Sequence, residues 1–476
     1  MAQAEQSGAA GRMPREGSDA PSPAAACPAC GRANVPDATR CANCWTALDR
    51  HPSHFALEHA RGLRNRRRLL AALGAALLLA ALVALALWVR PDPILDPPTT
   101  QWSAAQAPDT WPMLHGGPRH QGAALNGAPV GGEVAWTASL GAPASASPVV
   151  ANGAVYAASQ AGVVAAFSLD DGGLLWRYEA DNPIEATPAA AGEFVYAGTR
   201  GGRLIALDAA DGAERWSFQA RNPIFASPAV YEGTLYLGAA DGFLYALDAR
   251  TGALRWAYDS GGWIVGSPAV NDVVVAAASS GGAMHLIDVK TGKKRLVFES
   301  AGPVADSPLL GEDALYAASG DGRVWAIDWR ALEYPLEKGF NFWKTNLYAW
   351  GMLGDLPVAK GLLWSHLLSG EPLQASPALA HGALYVSAPD GALHALSART
   401  GESLWSVDLD AAYLSAPTVS GEIVLVGSER GLHAVDARER ASRLLHAANA
   451  PIGSPPALAG EHVVLLTADG TLTALR

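Results

Sequence analysis

Four cysteines crowd into 18 residues near the N-terminus, as Cys27-Pro-Ala-Cys30 and Cys41-Ala-Asn-Cys44 with ten residues between the pairs. Two Cys-x-x-Cys knuckles supply the donor set of a closed tetrahedral zinc site, with Zn–S near about 2.3 Å. Four thiolates leave no open coordination position, so the spacing predicts a structural Zn²⁺ rather than a hydrolytic one. The metal would supply folding energy that the few apolar residues of 27–48 cannot. Two disulfides or a redox dithiol are the rival readings. Disulfides are disfavoured by the topology argued below, which places these thiols in a reducing compartment.

Other chemically capable residues recur with a period, and the period argues against chemistry. Asp208, Asp248, Asp288, Asp328 and Asp436 stand at equivalent points of successive units, where a turn-bracing role explains all five. His285, His394 and His433 share a column with Tyr245 and Trp325, which marks a half-buried packing position on separate elements rather than a ligand set. Near the axis the polar candidates are Glu185, Asp306 and Gln374, two or three residues before recurrent prolines. Calcium wants six to eight converging oxygens, about 2.3–2.6 Å from the ion, and this column does not offer them. No glycine-rich phosphate loop and no nucleophile elbow appears.

The period is set by a Ser-Pro dipeptide or its near equivalents, at Ser147-Pro148, Thr187-Pro188, Ser227-Pro228, Ser267-Pro268, Ser307-Pro308, Ser376-Pro377, Ala416-Pro417 and Ser454-Pro455. The first five are 40 residues apart, and Trp136, Trp176, Trp216 and Trp256 keep the same spacing. A period near forty is one supersecondary unit stacked on its neighbours. Within a unit, four short apolar runs are separated by Glu-Gly, Asp-Gly and Thr-Gly pairs that favour tight turns. The expectation is an all-β, eight-bladed β-propeller of four-stranded antiparallel blades over 128–476. The last unit has no Trp strand, and Glu133–Leu140 can supply it, closing the ring from the N-terminal side. One blade is irregular: an insertion at 329–361 carries Trp329, Tyr334, Phe340, Phe342, Trp343, Tyr348 and Trp350. Aromatics on a long loop are candidate partner-binding residues, and a satellite cluster against the blade is the alternative.

The Asp-x-x-Thr-Gly-x-x-x-Trp signal at Asp248–Trp256, echoed at Asp208–Trp216 and Ser397–Trp405, resembles the tryptophan-docking motif of PQQ-like repeat propellers. The segment Trp111–Gly122 is similar to the lead-in common to those proteins. The resemblance implies the propeller fold; the family holds both quinoprotein dehydrogenases and non-catalytic BamB-like scaffolds, and fold does not choose between them. A quinoprotein would need a calcium-holding cluster, a catalytic Asp and aromatic walls, and many alcohol dehydrogenases of the family add adjacent cysteines. The propeller region has no cysteine, so PQQ is not expected and no catalytic residue is assigned. The cysteine segment resembles short zinc ribbons at the N-terminus of bacterial membrane proteins. Gly31 follows the first knuckle as that pattern expects, whereas Trp45 stands after the second where Gly is usual.

Leu69–Val89 is an uncharged apolar run of 21 residues, at 1.5 Å per residue long enough for a core of about 30 Å. A cleaved signal peptide would have a shorter leader and a small-x-small site; Arg90-Pro91-Asp92-Pro93 follows instead. Arg61, Arg64, Arg66, Arg67 and Arg68 precede the run and place the N-terminus inside. Residues 1–68 carry +4 and the whole chain −11, which leaves −15 on the remainder, a poor surface for nucleic acid. The organisation expected is a disordered tail at 1–26, zinc ribbon at 27–48, basic segment at 49–68, one transmembrane helix at 69–89, lead-in at 90–127, and propeller. The expected protein is a single-pass inner (plasma) membrane protein whose non-enzymatic propeller, outside the cytoplasm, binds envelope or membrane proteins. A PQQ-dependent dehydrogenase and an extracytoplasmic ligand or glycan sensor are the alternatives.

Overall fold

The structure is a computed structural model that describes residues 26–27, 29–34, 38, 40–46, 72–81, 110–124, 131–300, 302–304, 306–333, 337–352, 359–373 and 375–476. The chain divides into two compact units, 1–90 and 91–476. In the first, residues 72–81 are helical and the cysteine segment makes two isolated turns. No helix among the described residues is long and apolar enough to cross a membrane; the rest of the expected span 69–89 lies outside them, as does the tail 1–25.

In the second unit the described strands form eight sheets, seven four-stranded and one five-stranded. The third blade shows how one repeat builds a sheet. Ala229–Tyr231, Thr234–Gly238, Phe243–Asp248 and Leu254–Asp259 pair in sequence order, all antiparallel. The first hairpin turns on Glu232 and Gly233, both at positive φ (46° and 71°), the conformation that matches strand twist in a two-residue turn. The second strand is buried on both faces between neighbouring blades, while the outer strand exposes alternate residues.

A bulge recurs between the third and fourth strands. Ala246 faces Trp256 but Leu247 faces Leu254, so Arg255 is left out of register, and the same slip occurs in other blades. A bulge re-aims the side chain next to it, and here that side chain is the repeat tryptophan. Trp176 Nε1 donates to the Ala209 carbonyl of the next blade at 2.9 Å. Its ring lies on Gly212 (φ +72°), where a Cβ would stand 2.6 Å from Cε3. Trp136 does the same to Leu169 and Gly172, and Trp364 to Ala398 and Gly401. A tyrosine of the same blade backs the Trp176 and Trp364 rings, Tyr156 at 5.9 Å and Tyr316 at 6.0 Å between centroids. The Asp of each turn braces it: Asp248 Oδ1 accepts from the N–H groups of Arg250 and Thr251, while Oδ2 pairs with the bulged Arg255 at 2.8 Å.

Val134–Ser139 pairs antiparallel with Thr471–Leu475 and completes the last sheet as its outer strand. The insertion contributes a helix, Glu337–Ala349, between strands Arg323–Ile327 and Leu362–Leu367.

Candidate functional site

The hub is crossed by the lead-in. The inner strand of a blade has one edge without a neighbouring strand, and its N–H groups need acceptors. In seven blades the second residue after the repeat proline finds one on residues 111–122. Val150 donates to the Trp111 carbonyl, Ala190 to Pro112, Val270 to Pro118, Leu310 to Arg119, Leu379 to Gln121 and Val419 to Gly122, at 2.7–2.9 Å, and Val230 to Met113 Sδ at 3.3 Å. Ala123–Ala124 then adds a parallel strand to Thr418–Ser420. One strap therefore ties seven blades in chain order. Its sharp path uses positive φ at His115, Gly116, His120 and Gly122; a Cβ on Gly116 would meet the Trp111 ring at 2.9 Å.

A relay of hydroxyls runs beside the strap. Ser147 N–H donates to the Thr187 hydroxyl, Thr187 to Ser227, Ser227 to Ser267 and Ser267 to Ser307, each at 2.8–3.0 Å. This is why the residue before the proline is Ser or Thr in the second to fifth blades. The relay stops at the fifth blade. Ser307 N–H turns to its own neighbour, Asp306 Oδ1, at 2.7 Å, and the Ser376 hydroxyl donates to the same oxygen at 2.5 Å. Asp306 Oδ2 is buried and accepts nothing among the described residues. Burial pushes this carboxyl up to about 6, against the pull of the Ser376 hydroxyl and the Ser307 N–H. Where the relay fails, a cleft of about 430 Å³ opens, lined by Asp306, Ser376, Glu371, Ser415 and Tyr413, with His115 of the strap among its walls.

His115 and His120 are both buried, 3% and 1% exposed, with ring centroids 6.3 Å apart. Neither His115 Nδ1 nor either ring nitrogen of His120 has a hydrogen-bond partner among the described residues. Burial, with the neighbouring His120, drives His115 down to about 3. Burial takes His120 to about 4, offset in part by the Pro308 carbonyl beside it. Both rings are neutral at physiological pH. The lead-in motif was legible in the sequence, but not that it places two histidines in the hub.

The other residues singled out from sequence do not assemble a site. Glu185 pairs with Arg200 at 3.3 Å, and Gln374 lies outside the described residues. His285 sits between Tyr258 and Ser279, His394 beside Asp390, and His433 on the Ser428 hydroxyl, each within or next to its own blade. Among the described residues the four cysteines are the only group of three or more His, Cys, Asp or Glu whose donor atoms gather closely enough for a metal.

The insertion separates into two parts. Trp329 is a core residue, 8% exposed, packed with Val304, Trp325 and Leu296 and covered by the Arg330 guanidinium at 4.3 Å; its apolar surface is spent within the blade, so it is not available to a partner. Glu333 anchors the next stretch through Lys294 at 3.0 Å and the Arg295 carbonyl. On the helix and the turn after it, Phe342, Trp343, Trp350 and Met352 are 66, 61, 65 and 70% exposed, and Tyr348 is 39%. Phe342 and Trp343 meet edge to face at 6.5 Å. Phe340 lies in the same helix; Tyr334 lies outside the described residues.

The four sulfurs of Cys27, Cys30, Cys41 and Cys44 all lie within 4.8 Å of one another. Cys27 is 3.5 Å from Cys44 and Cys30 is 3.6 Å from Cys41, far beyond a disulfide bond and near the edge of about 3.8 Å of a tetrahedron with Zn–S bonds of about 2.3 Å. The two knuckles are copies: Gly31 N–H donates to the Cys27 carbonyl at 2.8 Å and Trp45 N–H to Cys41 at 2.9 Å. Trp45 takes the same left-handed backbone (φ 58°) as Gly31 (φ 67°), so the missing glycine does not change the turn; Arg40 lies over the indole at 5.6 Å. The N–H groups of Cys44 and Asn43 bring the Cys41 thiol down to about 6. Cys27 is pulled down by the Ala29 N–H but pushed up further by burial and the neighbouring thiols, to about 11.

No curated protein sequence matches the chain. Among solved structures it is similar to BamB from Moraxella catarrhalis, at 22% identity and a TM-score of 0.56 over 71% of this chain and 96% of that one. It is also similar to the quinohemoprotein alcohol dehydrogenase of Comamonas testosteroni, at 15% identity and a TM-score of 0.60 over 78% and 81%. A europium-containing methanol dehydrogenase matches at 14% identity and 0.60 over 78% and 90%. At these identities the likeness is one of fold, shared by proteins with and without the word dehydrogenase in their names. The family model described as outer membrane protein assembly factor BamB matches residues 124–184, 160–265, 260–333 and 357–476, and with that, its tryptophan-docked blades and its repeat period, the chain belongs to this family of PQQ-repeat propellers.

Proposed function

We propose that this protein is a membrane-tethered, non-catalytic scaffold whose propeller stands outside the cytoplasm and holds envelope proteins, with an N-terminal module folded around structural Zn²⁺. The observation that carries the reading is the insertion helix. A helix of 13 residues is marginal by itself in water, and this one with the turn after it leaves Phe342, Trp343, Trp350 and Met352 uncovered. Large aromatics gathered on a short element beside a rigid sheet have the composition of an interface hot spot.

The test is crosslinking in native membranes from a photoreactive residue at Leu347, followed by identification of the attached protein. The triple variant Phe342→Ala, Trp343→Ala, Trp350→Ala should lose that adduct while its thermal unfolding midpoint stays within a few degrees of the parent. An adduct that survives the triple variant refutes the docking role. Dye reduction by the purified protein with PQQ, Ca²⁺ and an alcohol, turning over repeatedly, refutes the non-catalytic reading.

A further inference from the structure

We propose that the outer strand of the fifth blade, Leu362–Leu367, is a self-association edge, through which two copies of the chain pair antiparallel about a two-fold axis at Ser365. This strand is the last of its sheet, so one edge of its backbone meets no other strand among the described residues. Leu368 N–H donates inward to the Gly322 carbonyl at 2.9 Å. Backbone groups alternate in direction along an antiparallel ladder, so the N–H and C=O of Ser365 and Leu367 point to the open edge. Proteins blunt such edges with charge, and six of the eight outer strands carry charged residues, as Arg295 and Glu299 do on the fourth blade. Val134–Ser139 on the eighth blade carries none, but beyond Trp136 it is built of Thr, Ala and Ser. The fifth blade carries none and exposes Leu363 and Leu367 at 53 and 54%. Leu367 stands at the register position that Glu299 holds one blade earlier.

The strand's own sequence selects a second copy as the occupant. Leu362-Leu363-Trp364-Ser365-His366-Leu367-Leu368 reads nearly the same from either end about Ser365. Laid antiparallel on itself, it sets Ser365 against the second copy's Ser365, Leu363 against Leu367, and Trp364 against His366. Because Ser365 turns both backbone groups outward, the centre is a pair that exchanges two N–H···O bonds. The bulge falls at Leu363, which leaves the Ser365 pair as the regular part of the ladder and Leu363 to pack by its side chain. Leucines facing one another on one side of a sheet are a favourable cross-strand pair, and no charge is buried in either copy. The two-fold arrangement satisfies both open edges at once and closes at two copies. An interface of one strand pair is small, so the association expected in solution is micromolar. This inference does not rest on the scaffold reading, and it uses none of the helix aromatics assigned to an envelope partner.

Sedimentation velocity of the full chain in detergent micelles over about 1–100 μM tests it, and a monomer–dimer equilibrium is expected. Leu363→Arg with Leu367→Glu gives the fifth blade the residues that Arg295 and Glu299 supply on the fourth. It should weaken dimerisation at least about tenfold and leave the urea unfolding midpoint where it was. The triple variant at Phe342, Trp343 and Trp350 should dimerise as the parent does, which separates this edge from partner capture at the helix. Should the double variant fail to fold, Ser365→Cys decides the matter. Opposed residues of a hydrogen-bonded pair lie about 5.5 Å apart between Cα atoms, within disulfide reach. Mild oxidation should therefore link two Ser365→Cys chains above the parent's background, whereas Ser406→Cys, exposed at the same point of the sixth blade, should stay at background. A parent that is monomeric throughout, undiminished association in the folded double variant, its loss in the triple variant, or equal linking at Ser365 and Ser406 overturns the proposal.

Discussion

Acid should loosen the propeller through its hub, and the two strap histidines set the sign. A histidine whose folded pKa lies below its unfolded value of 6.5 binds fewer protons folded than unfolded, so stability falls as pH drops. The full stability is present above pH 6.5 and is lost progressively toward pH 4 for His120 and pH 3 for His115. Between pH 7 and pH 5 each ring contributes a loss of about 2 kcal/mol, or about 4 together. Asp306 opposes this. Its carboxyl, raised to about 6, holds a proton at pH 5 that the unfolded chain has released, which returns about 1 kcal/mol over the same window. The variant to compare is His115→Asn with His120→Asn, since Asn tolerates the left-handed backbone both positions require (φ 53° and 56°). Urea unfolding midpoints followed by tryptophan fluorescence at pH 7 and pH 5 give the comparison, because Asp306 and the surface groups are common to both proteins. The parent should lose about 4 kcal/mol more than the double variant. Parallel pH curves would refute the reasoning, for they would mean that the rings are solvated or charged in the folded hub.

Further expectations concern the turns. Gly212→Ala places a Cβ 2.6 Å from the Trp176 ring at φ +72°, so it meets both backbone strain and a clash. Gly141→Ala, at φ +74° with nothing within 4 Å, meets strain alone. In urea unfolding the second should cost about 1 kcal/mol and the first at least about 1 kcal/mol more; equal costs would show that the indole does not press on the turn. At the second knuckle, Trp45→Gly suits the left-handed backbone and Trp45→Val does not. Competition against a colorimetric chelator should show zinc held about tenfold more tightly by the glycine variant, the equivalent of about 1.4 kcal/mol. Loss of zinc from Cys41→Ser at the same chelator concentration is the control.

The repeat made the blades legible because each of its columns has a single physical job repeated in most blades. Trp176 and Gly212 recur together because one stacks on the other, and Asp248 recurs because it closes a turn. A regular column averages over noise in any one unit. Singular features have no such support. Nothing in the spacing of Trp111–Gly122 says that it runs through the ring, since its partners are backbone N–H groups that every residue but proline possesses. Trp329 and Trp343 look alike in the insertion, yet one is sealed under Arg330 and the other stands in solvent; only the blade's third dimension separates them. Trp45 broke a glycine rule without breaking the turn, because two backbone hydrogen bonds hold the knuckle in its left-handed conformation.

The hub relay shows how a departure from the repeat becomes a site. Four successive blades hand a buried N–H to the next blade's hydroxyl, which satisfies both groups without charge. Asp306 replaces that arrangement with a carboxylate, and the two kinds of junction should respond differently to loss of the hydroxyl. Ser227→Ala removes a neutral acceptor from the Thr187 N–H and should cost about 1–3 kcal/mol at any pH. Ser376→Ala removes a donor from Asp306, and its cost depends on the charge of the acceptor. Below the Asp306 pKa of about 6 the bond lost is a neutral one, of about 1 kcal/mol; above it the bond is charge-assisted, of about 1.5–3 kcal/mol. The Ser376→Ala penalty should therefore grow by about 1 kcal/mol between pH 5 and pH 8, while that of Ser227→Ala stays level. A flat Ser376→Ala penalty would mean that the Asp306 carboxyl does not ionise in the folded ring, and the fifth blade would then be only another link in the relay.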